Sequence, residues 1–294
     1  MELQGKTAVI SGGAEGIGFA MAQAVGRLGM NVVLADINAA QLASAEKALT
    51  EQDIKVLAVP LDAADIKQWA NMADLAVQRF GKLHLLLNNA GVAGTPGSVS
   101  ATDPGDWRWV VDVNLLGVVN GAQTLIPLMQ QHGEESWVIN VASMAGLGGL
   151  PLAGAYSATK AAVVAVSECW HSELDGSAIH VSVLCPGFVK TRINESTRNK
   201  QSHYHGETSG EPDSAVDPAM KEYMQSVIAA GLAPERVAER VIEAMAAHEL
   251  YVFTHPNYWP VVQKRFAAIE AAFERAAASP LLRDVLDEPV PGFG

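Results

Sequence analysis

The chain has 294 residues, 49% hydrophobic and 18% charged, enough apolar material for one large α/β domain or two small ones. Its formal net charge of −12 repels phosphate backbones and anionic membranes, which argues against nucleic-acid and membrane partners. Two cysteines, Cys169 and Cys185, are too few for a disulfide framework, the start "MELQGK" has no basic leader, and every long apolar run is interrupted by a charge or amide, so a soluble protein of the reducing cytoplasm is expected.

Along the chain, short runs rich in Val, Ile and Leu alternate with longer helical patterns. Strands are expected at 7–11, 31–35, 55–60, 83–88, 137–142, 180–185 and 250–254. Helices are expected near 17–28, 39–52, 65–80, 105–131 (interrupted by Pro127), 154–175 and 234–247. That alternation predicts an α/β fold: a seven-stranded, mostly parallel sheet, its apolar strands covered by helices on both faces. Residues 192–216 break the rhythm, being polar and without a period, and a helical segment follows at roughly 217–230. A long irregular stretch after a strand is where such folds place ligands, so 192–230 is expected to be a substrate lid that closes over the cleft. Residues 255–294 carry a helical pattern ending in "EPVPGFG" and are expected to extend domain 1–254, packing on it or on a partner subunit.

The first strand runs into "SGGAEGIG", which puts Gly12, Gly16 and Gly18 at a strand-to-helix turn. Glycines there allow a tight turn and a close approach of backbone to a pyrophosphate. Asp36 ends the second strand, where a carboxylate accepts hydrogen bonds from ribose hydroxyls and repels a 2′-phosphate. Glu15 adds a negative charge, and no arginine or lysine adjoins either position in sequence, so NAD is favoured over NADP. Tyr156 and Lys160 lie one helical turn apart in "YSATK". They read either as a surface tyrosine beside a solvated lysine or as a phenol whose pKa an ammonium lowers.

Together, "SGGAEGIG", "NNAG" (88–91), Asn114 in "VVDVNLLG", Ser143 in "INVASMAG", "YSATK" and "PGFVKT" (186–191) resemble the motif series of the short-chain dehydrogenase/reductase family, in its order and spacing. Ser11 stands where that family most often has threonine. The resemblance implies a Rossmann-type, doubly wound NAD-dependent oxidoreductase. It makes Tyr156 the general acid/base, with Lys160 lowering its pKa and binding the nicotinamide ribose. Ser143 would hold the substrate oxygen, or simply cap the next segment. Asn114 would orient a water leading from Lys160 to solvent, or pin backbone.

As cofactor contacts the resemblance implies Gly12, Gly16, Ile17 and Gly18 in the turn, Asp36 at the ribose, Asp62 at the adenine amino group, and Asn88 and Gly91 near the adenosine. Asp62 reads equally as a helix N-cap. Pro186 and Gly187 would form the turn beside the nicotinamide, with Val189 and Thr191 on its carboxamide; Tyr156 and Lys160 complete the set. No metal is expected, since His203 and His205 sit two apart in a polar stretch, and Trp107 and Trp109 read as packing. The run "MAGLGGLPLAGA" after Ser143, together with Phe188, predicts an apolar wall. A hydrophobic secondary alcohol or ketone is therefore the expected substrate. The layout resembles family members acting on bulky aromatic alcohols, including lignin-dimer Cα-dehydrogenases. A biosynthetic ketoreductase using NADPH and a non-catalytic dinucleotide-binding regulator are the alternatives. A homodimer or homotetramer is implied, built on helices 105–131 and 154–175, whose face Ala161, Val164, Ala165 and Trp170 has little polar cover.

Overall fold

Seven strands pair in parallel in the spatial order β3-β2-β1-β4-β5-β6-β7. They are β1 (Thr7–Ser11), β2 (Asn31–Asp36), β3 (Val56–Pro60), β4 (Leu85–Asn88), β5 (Ser136–Val141), β6 (Ile179–Cys185) and β7 (Tyr251–Phe253). The computed structural model describes residues 1–205 and 218–289. Register aligns Ser11 with Ala35, Asp36 with Pro60 and Asn88 with Asn140, so the C-terminal ends of the strands form one edge. Strand order reverses at β1, which has β2 on one side and β4 on the other. The crevice at that reversal is where doubly wound sheets bind ligands.

Nine helices are described: α1 (Gly16–Arg27), α2 (Ala39–Thr50), α3 (Ile66–Phe80), α4 (Pro104–Val111), α5 (Gly117–His132), α6 (Gly154–Glu173), α7 (Pro218–Ala229), α8 (Pro234–Ala247) and α9 (Trp259–Ala277). Polar residues start several of them. Asn38 accepts from Gln41 N, Asp65 from Lys67 N and Asp103 from Gly105 N, each satisfying an amide that lacks an intrahelical partner.

Alternation along each strand sends neighbours to opposite faces. Ile10 joins Met21, Val25, Val237 and Val241 under α1 and α8. Val9 joins Trp69, Met72, Leu125 and Met129 under α3 and α5. Burying each such side chain contributes about 1.5–3 kcal/mol. Trp69, with no exposed surface, donates its indole N–H to Ala63 O at 2.9 Å, so its one polar atom is satisfied.

Three expectations need correction. The helix expected at 105–131 is two helices joined by a π turn, Asp112–Leu116, while Pro127 sits inside α5 without ending it. The π turn inserts one extra residue per turn and rotates Asn114 inward, a device that cannot be seen as a break in hydrophobic period. The strand expected from 83 begins its ladder at Leu85. The polar stretch after Arg192 is not irregular over its described part, where it forms 3₁₀ turns at Ile193–Asn199 and Ser202–Tyr204. Side-chain bonds hold that segment in place of an apolar stripe, which is why it showed no period. Ser196 Oγ accepts from Ala93 N (3.0 Å), Gln201 donates to Asp62 (2.9 Å), Tyr204 donates to Asp112 (2.8 Å) and Lys200 pairs with Asp106 (3.2 Å). Residues 206–217 of the expected lid lie outside the described residues.

The chain divides into two compact units, Met1–Thr254 and His255–Gly294. In the second, α9 carries Trp259, Val262, Phe266, Ile269 and Phe273 at alternating three- and four-residue spacing, an apolar stripe along one helix face. In the first, the helical run Pro104–His132 is apolar enough by composition to compare with a membrane span, but half of its apolar window is buried within the fold, as in a core helix.

Candidate active site

The turn after β1 is built for glycine. Gly12 and Gly16 have φ of 59° and 57°, in the left-handed region. A Cβ at Gly18 would stand 2.3 Å from Gly12 O, so only glycine lets helix and turn approach this closely. The Ser11 hydroxyl accepts from Asn89 N (3.0 Å) and Ala90 N (3.1 Å), and the Asn89 amide donates to Ser11 O (3.0 Å) and Gly12 O (2.8 Å). Those bonds lock the turn to the chain leaving β4. Ile17 is half-buried against the core beneath it.

Helix α1 begins at Gly16, and its N-cap residue Glu15 makes no capping hydrogen bond, which leaves amides of the first turn available to an anion. Beside them, Asp36 is buried, one carboxylate oxygen accepting from Ala14 N (3.1 Å) and the other from Asn38 N (2.9 Å). Burial raises its pKa, and those backbone bonds oppose the rise. Each oxygen keeps a lone pair for a further donor. A cleft of about 420 Å³ runs past the turn, lined by Glu15, Gly16, Lys190, Thr191, Arg192 and Ile228. The glycine cradle, the open helix start and the buried carboxylate fit the pyrophosphate and adenosine ribose of a dinucleotide.

The fold also supplies cations that sequence adjacency hid. Glu15 receives both Arg192 (3.6 Å) and Arg198 from the segment after β6. Its charge is thus neutralised, and Asp36 alone stands against a 2′-phosphate.

Across the crevice, Tyr156 and Lys160 rise from the first turns of α6, which approaches the Met144–Gly146 turn closely because Gly146 has no Cβ to strike Lys160 O. Lys160 is buried, donates to Val141 O at 2.7 Å, and has its Nζ 5.7 Å from the centre of the Tyr156 ring. Burial lowers the Lys160 pKa to about 8. Burial also raises that of the half-exposed Tyr156, opposed by a hydrogen bond with Ser143. Cys185, whose thiol burial pushes up to about 12, is inert beside them.

Ser143 follows β5 and accepts from Ala145 N (3.1 Å), so it does cap the next turn while bonding Tyr156. Asn114, fully buried on the π turn, accepts from Val92 N (2.8 Å) and donates to Val92 O (2.9 Å), pinning the chain after Gly91. A Cβ at Gly91 would come within 3.5 Å of Lys160 Nζ, so that backbone passes directly over the lysine.

The side chains of two predicted cofactor residues already hold protein partners. The Asn88 side chain turns into the core, donating to Asn140 (2.8 Å) and Val118 O (3.3 Å), and its amide oxygen has no partner. Its neighbour Asn89 faces the cradle instead, and in "NNAG" only the side alternation of a strand end distinguishes the two. Asp62 is not the helix cap, a place held by Asp65; it accepts from Ala64 N (3.0 Å) and from Gln201. Pro186 accepts at its carbonyl from Met144 N (2.9 Å), which ties the turn with Gly187 to the one after Ser143. Val189 is buried and bridges to Leu232, while the Thr191 methyl lies against Gly16. Trp109 is buried as a packing residue, and Trp107 packs on Gly154.

Residues 6–202 match the short chain dehydrogenase family. The protein belongs to that family. It is therefore an oxidoreductase. The short chain dehydrogenase is 33% identical over 268 residues to a C alpha-dehydrogenase of Sphingobium sp., spanning 91% of this chain and 86% of the relative. It is 36% identical over 200 residues to the 3-alpha-(or 20-beta)-hydroxysteroid dehydrogenase of Mycobacterium tuberculosis, spanning 66% of this chain and 72% of that one. Among solved structures, a short chain dehydrogenase/reductase from Burkholderia phymatum in complex with NAD superposes with a TM-score of 0.88 at 34% identity, over 99% of this chain and 100% of that one.

Proposed function

We propose that this dehydrogenase interconverts a hydrophobic, bulky or aromatic secondary alcohol and its ketone, with NAD as hydride carrier and Tyr156 as general acid/base. The observation that carries this reading is the convergence of Tyr156, Ser143 and the buried Lys160 at the strand edge that also holds the glycine cradle and Asp36. When bound, NAD supplies the carbon that accepts or returns hydride. The protein's part is to hold the substrate oxygen on Ser143, move its proton through the Tyr156 hydroxyl, and keep a cation beneath the pair at Lys160.

The hydrophobic substrate is supported by Leu150 and Leu152, which are 49% and 47% exposed just before α6, and by the half-buried Leu147 and Phe188. Aliphatic side chains left open beside a polar reaction centre favour an apolar ligand body. The Sphingobium and Mycobacterium relatives, named for a Cα-dehydrogenase and a hydroxysteroid dehydrogenase, support the same size class.

Initial rates with NAD and NADP over a panel of hydrophobic secondary alcohols test both parts. With Asp36 closing the ribose end, kcat/KM favours NAD by at least about tenfold, on the order of 1.4 kcal/mol. Equal efficiency with NADP overturns that choice and assigns Arg192 and Arg198 to the phosphate, the arrangement a reductive ketoreductase needs.

We also infer a homo-oligomer built on α5 and α6. Within one chain Val164 is buried and Trp170 half-buried in the core, so the expected face shrinks to Ala161 and Ala165 with Leu116, all exposed. Small residues allow two helices to pack closely across a two-fold axis. Light scattering should return a multiple of 31.0 kDa at micromolar concentration; a monomer would refute the interface.

A further inference from the structure

The edge of the sheet opposite the crevice carries two groups of histidine and glutamate that chain order keeps far apart. His84 precedes β4, Glu134 and Glu135 precede β5, His180 lies at the start of β6, and His132 and His248 end α5 and α8. Sequence spacing gave no hint of them. The pair it did offer, His203 and His205, includes a His203 ring that leans on Tyr204 at 4.0 Å.

The two groups differ in what their nitrogens do. In the first, His84 Nδ1 accepts from Thr7 N (3.2 Å), which leaves the proton on Nε2, directed at Glu134 (3.0 Å). His132 Nε2 contacts Leu83 O (2.8 Å) and its Nδ1 accepts from Glu134 N (3.1 Å). All four ring nitrogens are engaged, so a cation entering there would have to break existing bonds. In the second group, Nε2 of His180 and of His248 stand 3.8 Å and 3.4 Å from the same Glu135 oxygen, too far for good hydrogen bonds. Neither imidazole has a hydrogen bond among the described residues. All three ligand atoms lie within 4.8 Å of one another.

Zinc bonds of about 2.0–2.1 Å in a tetrahedron separate neighbouring ligand atoms by about 3.4 Å. Glu135, His180 and His248 thus stand too far apart to bond one another well, yet within a small side-chain rotation of the spacing around one ion. We propose that they form a site for a divalent transition-metal ion of the zinc type, water filling the fourth position, which staples the start of β5, the start of β6 and the end of α8. The two imidazoles lie stacked, 3.6 Å apart and 11° from parallel, and the exposed His248 can turn about its side-chain bonds so that both lone pairs converge. Lys6, the nearby cation, is held on the Glu135 carbonyl at 2.8 Å and so leaves the carboxylate free. Lying at the edge away from Tyr156, the site is structural and independent of the proposed reaction.

The test is titration of untagged protein with Co²⁺, followed by competition with Zn²⁺ against a chromophoric chelator. One Co²⁺ per chain should bind, with the intense visible absorption of a four-coordinate ion, and Zn²⁺ should displace it and raise Tm. His248→Asn keeps the left-handed backbone that asparagine tolerates (φ 52°), and Glu135→Gln changes only a partly exposed carboxylate. Each should weaken binding at least about tenfold. His132→Asn, in the occupied group, should leave affinity unchanged, as should any choice of alcohol or dinucleotide. Absence of a stoichiometric cobalt spectrum, or full affinity in His248→Asn and Glu135→Gln, overturns the site.

Discussion

Replacing Tyr156 with phenylalanine should lower kcat for alcohol oxidation by about a thousandfold or more while leaving NAD and NADH affinity unchanged. The ring stays, so packing against the start of α6 is preserved, and only the proton-carrying oxygen is lost. Because burial holds the Tyr156 pKa above its ordinary value of 10.0, the phenol keeps its proton through the neutral range. It stands ready to donate to a ketone, but must first shed a proton to accept one from an alcohol. Oxidation by the unaltered enzyme should therefore accelerate as pH rises into the alkaline range, and reduction should not. The residual rate of Tyr156→Phe should lose that dependence. Stopped-flow turnover with fluorescence titration of NADH measures both quantities, and near-normal rates in the variant would sink the assignment. Tight NADH binding in an inactive variant separates a lost proton carrier from a damaged fold.

Most of the architecture could be read from the sequence, because parallel strands buried on both faces leave apolar runs such as "TAVIS" and "NVVLA" that nothing else explains. The glycine turn was legible for a similar reason: Gly12 and Gly16 need backbone conformations, and Gly18 a close approach, that few other residues allow. What could not be read depends on contacts between distant residues. The π turn at Asp112–Leu116 keeps helical polarity and differs only in hydrogen bonding. Asn88 and Asn89 are chemically identical neighbours, and only the pleat at the end of β4 sends one to the core and the other to the cradle. Arg192 and Arg198 reach Glu15 across more than 170 positions of chain, so the local charge at the turn was misjudged from adjacency. Desolvation was the largest omission. Spacing shows that Lys160 lies near Tyr156, but not that the lysine is buried, nor that burial lowers its pKa to about 8.

That burial makes Lys160 the residue with the other large expected effect. Lys160→Met removes the ammonium but keeps an unbranched side chain of similar length, and it should lower kcat/KM by at least about a hundredfold. If the ammonium also binds the nicotinamide ribose, as proposed, NAD affinity should fall about tenfold, the size of one lost hydrogen bond to a charged group. The same substitution reports on the burial itself. The folded-state pKa of about 8 lies below a lysine's ordinary 10.5, so the native state sheds this proton before the unfolded state does. Below pH 8 both states are protonated, and the fold carries a desolvated charge. Between 8 and 10.5 only the unfolded state keeps the proton, so stability from this group rises with pH, is complete above 10.5 and is lost as pH falls through 8. The gap between those two values corresponds to about 3 kcal/mol. Thermal unfolding of wild type and Lys160→Met, compared at several pH values from neutral to about 10, isolates this contribution because every other titrating group is shared. The difference should move in favour of wild type as pH rises. Parallel curves would mean that Lys160 keeps its ordinary pKa, and that the cation beneath the tyrosine is solvated rather than held in a dry pocket.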